Sequence, residues 1–187
     1  MEHSIEAPEG GRIHRVRVLV DPGRKWKVAI KAAGPDTIQE WLDHDIGQAS
    51  EQYPAHPESK PVEREFALVN FGKTILGEAA LNWGMGNCRR NALPRELFAI
   101  SEHHPNLDQE LKTNGAMALL SLETCTMGMD VFNPVGGGLH RAEERAVQCI
   151  CTVGWNRTRN KRYCKLEQFD DEFTDVCWFA FNVQPTK

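Results

Sequence analysis

The sequence has no long apolar run and no apolar block near its start. No segment approaches the roughly 18 consecutive apolar residues of a bilayer-spanning helix, so we expect no membrane insertion. Residues 1–11 contain three glutamates, one proline and two glycines, which is unlike a secretory signal and predicts a flexible tail. We therefore expect a cytoplasmic protein whose six cysteines are reduced rather than joined in disulfides.

Internal repeats and an extreme net charge are also absent. The 187 residues carry 22 Lys and Arg against 26 Asp and Glu, and 41% are hydrophobic, which is typical of a globular protein with one domain or two small ones. The charge is nevertheless segregated, with basic residues concentrated in 12–31 and acidic ones in 36–65. Such segregation favours a surface that faces a charged partner.

The first third of the chain predicts a hairpin, a helix and a strand. Residues 12–32 alternate between apolar and polar side chains on both sides of the turn sequence at 21–23, Asp-Pro-Gly, which predicts a β-hairpin. Apolar residues then recur at helical spacing over residues 38–49, and residues 66–71 predict a short strand.

This order over residues 12–86, together with the segment PDTIQEWLDHDI and a strand ending in FGK, resembles the ubiquitin-like β-grasp fold. The resemblance implies a fold that binds other proteins, not a catalytic activity. No diglycine tail follows the strand, so a role as a conjugated modifier is not implied. Any other β-β-α-β arrangement remains the alternative.

The segment 145–183 predicts three strands at short spacing. Apolar and polar residues alternate on both sides of the polar loop 156–161, and residues 173–183 are apolar at nearly every position, as in a strand buried on both faces. We interpret the three strands as an antiparallel meander. Upstream, helices are predicted from residue 94 to 100 and from 105 to 112, whereas residues 116–127 fit either a buried helix or a strand.

These patterns predict an α+β protein with mainly antiparallel sheets. Its parts are a tail (1–11), a β-grasp-like region (12–86), and a helical segment followed by the meander (87–187). The sequence leaves open whether the last two regions form one continuous domain.

The most informative surface feature is the basic loop between the first two C-terminal strands. Its cations and flanking aromatic residues are Trp155, Arg157, Arg159, Lys161, Arg162 and Tyr163. Cations beside aromatic rings suit phosphate contacts and base stacking, although a solvated turn is the simpler alternative. The predicted N-terminal hairpin would add a flat basic surface made of Arg15, Arg17, Lys25 and Lys27. We hypothesise a non-catalytic binding or adaptor protein that needs no cofactor and engages nucleic acid or an acidic protein face.

An alternative hypothesis is a thiol enzyme with Cys88 as nucleophile. The string GMGNCRRNA resembles the GDGNC-type motif of ovarian-tumour-family deubiquitinases, with Met85 in place of the aspartate. A helix that begins just downstream would lower the pKa of the thiol. The histidines that follow Cys88 and could act as the base are His103, His104 and His140. The simpler interpretation is that Cys88 is a structural cysteine in a loop.

Four cysteines in the C-terminal strands raise the question of a zinc site. They are Cys149, Cys151, Cys164 and Cys177. Residues two apart in a flat strand are separated by nearly 7 Å, which fits tetrahedral zinc poorly. We therefore expect no metal and interpret these cysteines as small buried hydrophobic residues.

Overall fold

The computed structural model describes residues 5–39, 52–55, 59–88, 90–113, 115–131 and 143–183. The strands are β1 (Arg12–Val20), β2 (Thr37–Ile38), β3 (Val62–Asn70), β4 (Ile75–Leu76), β5 (Arg90–Asn91), β6 (Ala116–Val131), β7 (Glu143–Asn156), β8 (Lys161–Gln168), β9 (Glu172–Phe173) and β10 (Cys177–Val183). The helices are α1 (Trp26–Ala32), α2 (Gly77–Asn87), α3 (Pro94–His103) and α4 (Leu107–Glu110). None of these helices is long and apolar enough to cross a membrane.

The main sheet has eight strands. Its order is β1-β3-β10-β6-β7-β8-β2, and β5 pairs with the end of β10. All of its pairs are antiparallel except β10–β6 and β2–β8, which are parallel. The fold is therefore α+β with a mainly antiparallel sheet, as predicted. Because β3 pairs with β10, the segments 12–86 and 87–187 share this sheet.

The three-stranded meander predicted for residues 145–183 is wrong in its third strand. β8 pairs with β7, as expected, whereas β10 lies between β3 and β6. The meander is instead β6-β7-β8, so the ambiguous residues 116–127 belong to a strand. All seven residues of β10 are buried, which confirms a strand covered on both faces. A strand of this kind is most stable inside a sheet, where both of its edges are paired.

The predicted N-terminal hairpin is wrong in its second half. β1 forms as expected but pairs with β3, and residues 26–32 form the helix α1. Alternation would bury Val28, which is 51% exposed, whereas Trp26, Ala29 and Ile30 are buried at helical spacing. Residues 12–32, which the resemblance to the ubiquitin-like fold takes as a hairpin, are therefore a strand followed by a helix.

The predicted helix over residues 38–49 lies mostly outside the described residues. The first of its positions, Ile38, is part of β2, which pairs parallel with Tyr163 and Cys164 of β8. In the predicted tail, Ile5 packs against the apolar residues on one face of the sheet. The helices predicted at 94–100 and 105–112 correspond to α3 and α4.

Each face of the sheet carries an apolar core. The first core is covered by α1, α3 and α4, and in it Trp26 of α1 packs edge-on against Phe98 of α3 with ring centroids 5.4 Å apart. The second core, on the opposite face, is covered by α2 and contains a group of contacting aromatic rings. That group consists of Phe71, Trp83, Phe173, Phe179 and Phe181.

Helix α2 approaches the sheet closely at Gly84. A Cβ atom at this position would overlap the ring of Phe181, which is fully buried, whereas a Cβ at Gly86 would meet no atom within 4 Å. Both glycines belong to the helix, so the Gly-Met-Gly segment before Cys88 is not an irregular loop.

We therefore expect opposite effects from alanine at these two glycines. Gly84→Ala should lower the free energy of unfolding by about 1–3 kcal/mol, because the helix must move away from a packed ring. Gly86→Ala, the matched control, should raise it by up to about 1 kcal/mol through helix propensity. Urea titrations followed by circular dichroism measure both, and stabilisation by both changes would contradict this packing.

Candidate functional site

The basic loop between β7 and β8, residues 156–162, forms a tight turn that we call the tip. Asn156 and Lys161 are paired at its base, and a 3₁₀ turn covers Arg157–Arg159. The Oδ1 atom of Asn156 accepts a hydrogen bond of 3.1 Å from the backbone N–H of Arg159. Asn160 has a φ of 47°, a left-handed conformation that asparagine adopts more readily than most residues. The tip is thus the hairpin turn that the sequence predicts. For Arg157, the structure describes the backbone and not the side chain.

Arg162 fastens the tip to two other parts of the chain. Its backbone N–H donates to Oδ2 of Asp36 at 2.7 Å, and its carbonyl accepts from the backbone N–H of Asp36 at 2.9 Å. Its guanidinium donates to the carbonyl of Ser101 at 3.2 Å. A Cβ at Gly34, where φ is 70°, would overlap this guanidinium. Arg162 is therefore a fixed wall of the site rather than a mobile surface cation.

The two aromatic residues beside the tip lie on opposite faces of the sheet. Trp155 is only 4% exposed, and its indole N–H donates to the carbonyl of Pro105 at 3.1 Å. Tyr163 lies against Gly154, and burial raises its pKa. The predicted stacking of a base on Trp155 is therefore not possible in this structure, because the indole belongs to the first core.

The tip borders a cleft of about 310 Å³ with a mainly polar lining. Lys161 and Arg162 supply its cations, Asp36 and Asp108 its carboxylates. Its carboxamides are Asn106, Gln109, Asn156 and Asn160. Lys161 and the neighbouring Arg159 are exposed, and neither makes an ion pair within the described part of the chain. The cleft thus offers donors and acceptors for a polar ligand, while the adjacent cations favour negative charge.

The predicted second basic region does not join the tip. Arg15 and Arg17 of β1 both pair with Glu65, each at 3.1 Å. Lys25 and Lys27 lie at the start of α1, not on a strand, so the flat basic surface predicted for them is wrong. Five strand spacings of about 4.8 Å separate β1 from β8, so β1 is roughly 24 Å away from the tip.

Cys88 does not have the environment of a catalytic thiol. It follows the C-terminal end of α2, and its backbone N–H donates to the carbonyl of Gly84 at 2.8 Å. Burial raises the pKa of its thiol to about 11, although the nearby Arg15 acts in the opposite direction. The depressed pKa expected from a downstream helix is therefore not found.

The two candidate bases that the structure describes, His103 and His104, are also misplaced for a thiol enzyme. Cys88 packs against the second core, whereas α3, which ends at His103, covers the first core on the other face of the sheet. His103 Nδ1 contacts the carbonyl of Ala99 at 2.9 Å, and His104 Nδ1 contacts Oε2 of Glu110 at 2.9 Å. His140 lies outside the described residues.

The strand cysteines behave as buried apolar residues. Cys149, Cys151 and Cys164 belong to the first core, together with Cys125, and Cys177 belongs to the second core. Burial raises the pKa of the Cys164 thiol to about 12 and that of Cys177 to about 11. In the described ranges, no three of the His, Cys, Asp and Glu side chains are arranged to hold a metal ion.

No protein-family model, curated protein or solved structure matches this chain. Function therefore has to be argued from the geometry of the tip and the sheet. The walls of the cleft outside the hairpin, at residues 34–36 and 105–109, were not assigned to the site from sequence. Their only local signal is a Gly-Pro-Asp turn and a helix-boundary Pro-Asn, which occur in many loops.

Proposed function

We propose that this chain is a non-catalytic binding protein whose tip and cleft engage an acidic segment of another protein. The observation that carries the proposal is the pair of exposed cations, Arg159 and Lys161, beside a cleft lined by carboxamides. The cations attract carboxylates, and the carboxamides can donate to and accept from the backbone of a bound segment.

Two features favour an acidic protein segment over nucleic acid. Single-stranded nucleic acid binds best where aromatic rings are open to the bases, and Trp155 is buried. Two carboxylates, from Asp36 and Asp108, also lie in the cleft, where they would repel a chain of phosphates. The uncharged backbone of a peptide is not repelled in this way.

The test is binding of a fluorescent, aspartate-rich peptide interrupted by glycines, compared with oligo(dT) and oligo(U) of similar length. Reversing the tip charges with Arg159→Glu and Lys161→Glu should weaken peptide binding by about tenfold or more. The charge-matched control reverses two exposed lysines away from the tip, Lys60→Glu with Lys73→Glu, and should have little effect.

Binding of wild-type protein to the peptide should also weaken with added salt, because exposed charges are screened. The proposal fails if the peptide does not bind at low salt or if the tip variant binds it as well as wild type. Preferential binding of either oligonucleotide would replace the acidic protein segment by nucleic acid.

A further inference from the structure

Within the described ranges, the first strand of the main sheet is paired on one side only. β1 is nine residues long and pairs with β3 through residues 12–20. It stands at one end of the strand order, and no strand within the described ranges pairs with its other side. Since backbone groups alternate in direction along a strand, about four of its residues point their N–H and C=O groups outward. Such an edge is a template for another strand.

The side chains on one face of β1 specify what could lie beside it. On the face of the second core they run Ile13, Arg15, Arg17 and Leu19, an apolar–basic–basic–apolar series. The side chains of Arg15 and Arg17 are 46% and 67% exposed, and Leu19 is 52% exposed. This face therefore presents two accessible cations with an apolar residue at each end.

The two arginines share a single carboxylate. Glu65, opposite them on β3, accepts from Nη1 of Arg15 and from Nε of Arg17, each at 3.1 Å. Each guanidinium has five N–H donors, so donors remain on both after these contacts. Among the described residues, Glu65 is the carboxylate within ion-pair distance of the two guanidiniums, and Glu63, the next acidic residue of β3 on this face, lies opposite Leu19.

From this arrangement we propose that β1 binds an extended acidic segment of another protein by strand addition. The segment would carry alternating residues in the order apolar, acidic, acidic, apolar, so that two carboxylates lie beside Arg15 and Arg17 as Glu65 does on the other side. Main-chain hydrogen bonds supply affinity in this mode, and alternate side chains supply specificity. This interface is separate from the tip, which lies at the far side of the sheet.

A second copy of the chain is a poor occupant of the same edge. Antiparallel pairing of two β1 strands centred on Val16 would place Arg15 of one copy opposite Arg17 of the other. Like charges directly opposite each other in a sheet are destabilising. The same arginines that attract an acidic strand therefore protect the edge from self-association.

The experiment uses a fluorescent heptapeptide, valine–threonine–glutamate–threonine–glutamate–threonine–valine, and the full-length protein. Binding should weaken by about tenfold or more in Arg15→Glu with Arg17→Glu. The charge-matched control reverses two exposed lysines at α1, on the opposite face of the sheet, Lys25→Glu with Lys31→Glu, and should bind the heptapeptide as well as wild type does. The edge is tested with the heptapeptide and the arginine variant, and the tip with the aspartate-rich peptide and the tip variant, so the two proposals can fail independently.

Main-chain pairing is tested with two N-methylated forms of the heptapeptide, one methylated at odd positions and one at even positions. Only one set of amides faces β1, so one form should lose binding and the other should keep it. Equal affinity of both forms, unchanged binding in the arginine variant, or a β1-mediated dimer of the free protein would overturn the proposal.

Discussion

Raising the pH from about 8 to about 10 under reducing conditions should lower the free energy of unfolding of this protein by about 5 kcal/mol, because its buried thiols resist ionisation in the folded state. Burial raises the pKa of Cys125 and Cys177 to about 11 and that of Cys164 to about 12, from an ordinary value near 9. Cys151 is raised well above its ordinary value for the same reason. In the unfolded chain these thiols lose their protons in the range in which the folded chain retains them.

The direction of the effect follows from proton linkage. Above pH 9 the unfolded state binds fewer protons than the folded state, so the free energy of unfolding falls as the pH rises. Above pH 9 each thiol lowers the free energy of unfolding by about 1.4 kcal/mol per pH unit, so the four thiols named above lower it by about 5 kcal/mol in total between pH 8 and pH 10. An ordinary domain is stable by only about 5–15 kcal/mol. Below pH 8 this contribution is complete and stability should not depend on these groups.

Urea unfolding at pH 8 and at half-unit steps up to pH 10, with reductant present, measures the slope. Restricting the range to pH 10 limits the contribution of Tyr53, whose pKa is also raised by burial. The matched variant is Cys164→Ala with Cys177→Ala, in which the slope should fall by about a third, because the thiols of Cys88, Cys125, Cys149 and Cys151, whose pKa values are also raised by burial, remain. A slope that is flat in wild type, or equal in both proteins, would contradict the role assigned to the thiols.

The second large effect is expected at Glu96, near the start of α3. Its side chain is only 3% exposed and accepts two hydrogen bonds from Arg90, at 2.6 and 2.8 Å. Nε of Arg64 lies 3.2 Å from the same carboxylate, and the backbone N–H of Leu93 donates to it at 2.8 Å. The carboxylate therefore caps α3 and binds the helix to β3 and β5.

Glu96→Gln should lower the free energy of unfolding by about 3 kcal/mol, because two partly buried guanidiniums lose their counter-charge. This expected loss of stability lies at the lower end of the range for breaking a buried ion pair. The reason is that the side chains of Arg64 and Arg90 are 32% and 34% exposed, so water screens their charges.

Glu65→Gln is the control for this prediction, because Glu65 also binds two arginines but does so where those arginines are exposed. It should cost less than about 1 kcal/mol. Chemical denaturation at neutral pH compares the two variants directly. Equal losses would mean that burial does not strengthen the Glu96 cluster.

The sequence predicts which segments form strands and helices better than it predicts which strands pair with each other. The strand predicted at 173–183 is present over residues 177–183 and is covered on both faces as expected, whereas Phe173 belongs to β9. Nothing local shows that the neighbours of this strand are β3 and β6. The strand prediction for residues 26–32 is wrong for a different reason. Their apolar positions fit alternation as well as helical spacing, and only packing against α3 favours the helix.

The candidate site shows the same limit. The turn at the tip is a local property and is predicted, whereas the loop of Asp36 meets Arg162 from 126 residues away. The burial of Trp155 could have been predicted, because it alternates in phase with Cys151 and Val153 on the inner face of β7.

The central position of β10 has a consequence for how the chain acquires its structure. The strands on one side, β1 and β3, and those on the other, β6 to β8, have no direct pairing across the gap that β10 fills. During synthesis both halves are made before residues 177–183 leave the ribosome, and each exposes an unpaired edge until that strand arrives. Pairings of such long sequence separation fold slowly. The strand that holds the sheet together is thus the last of the described ones to be made, and the interval before it emerges is when the nascent chain is most open to misassembly.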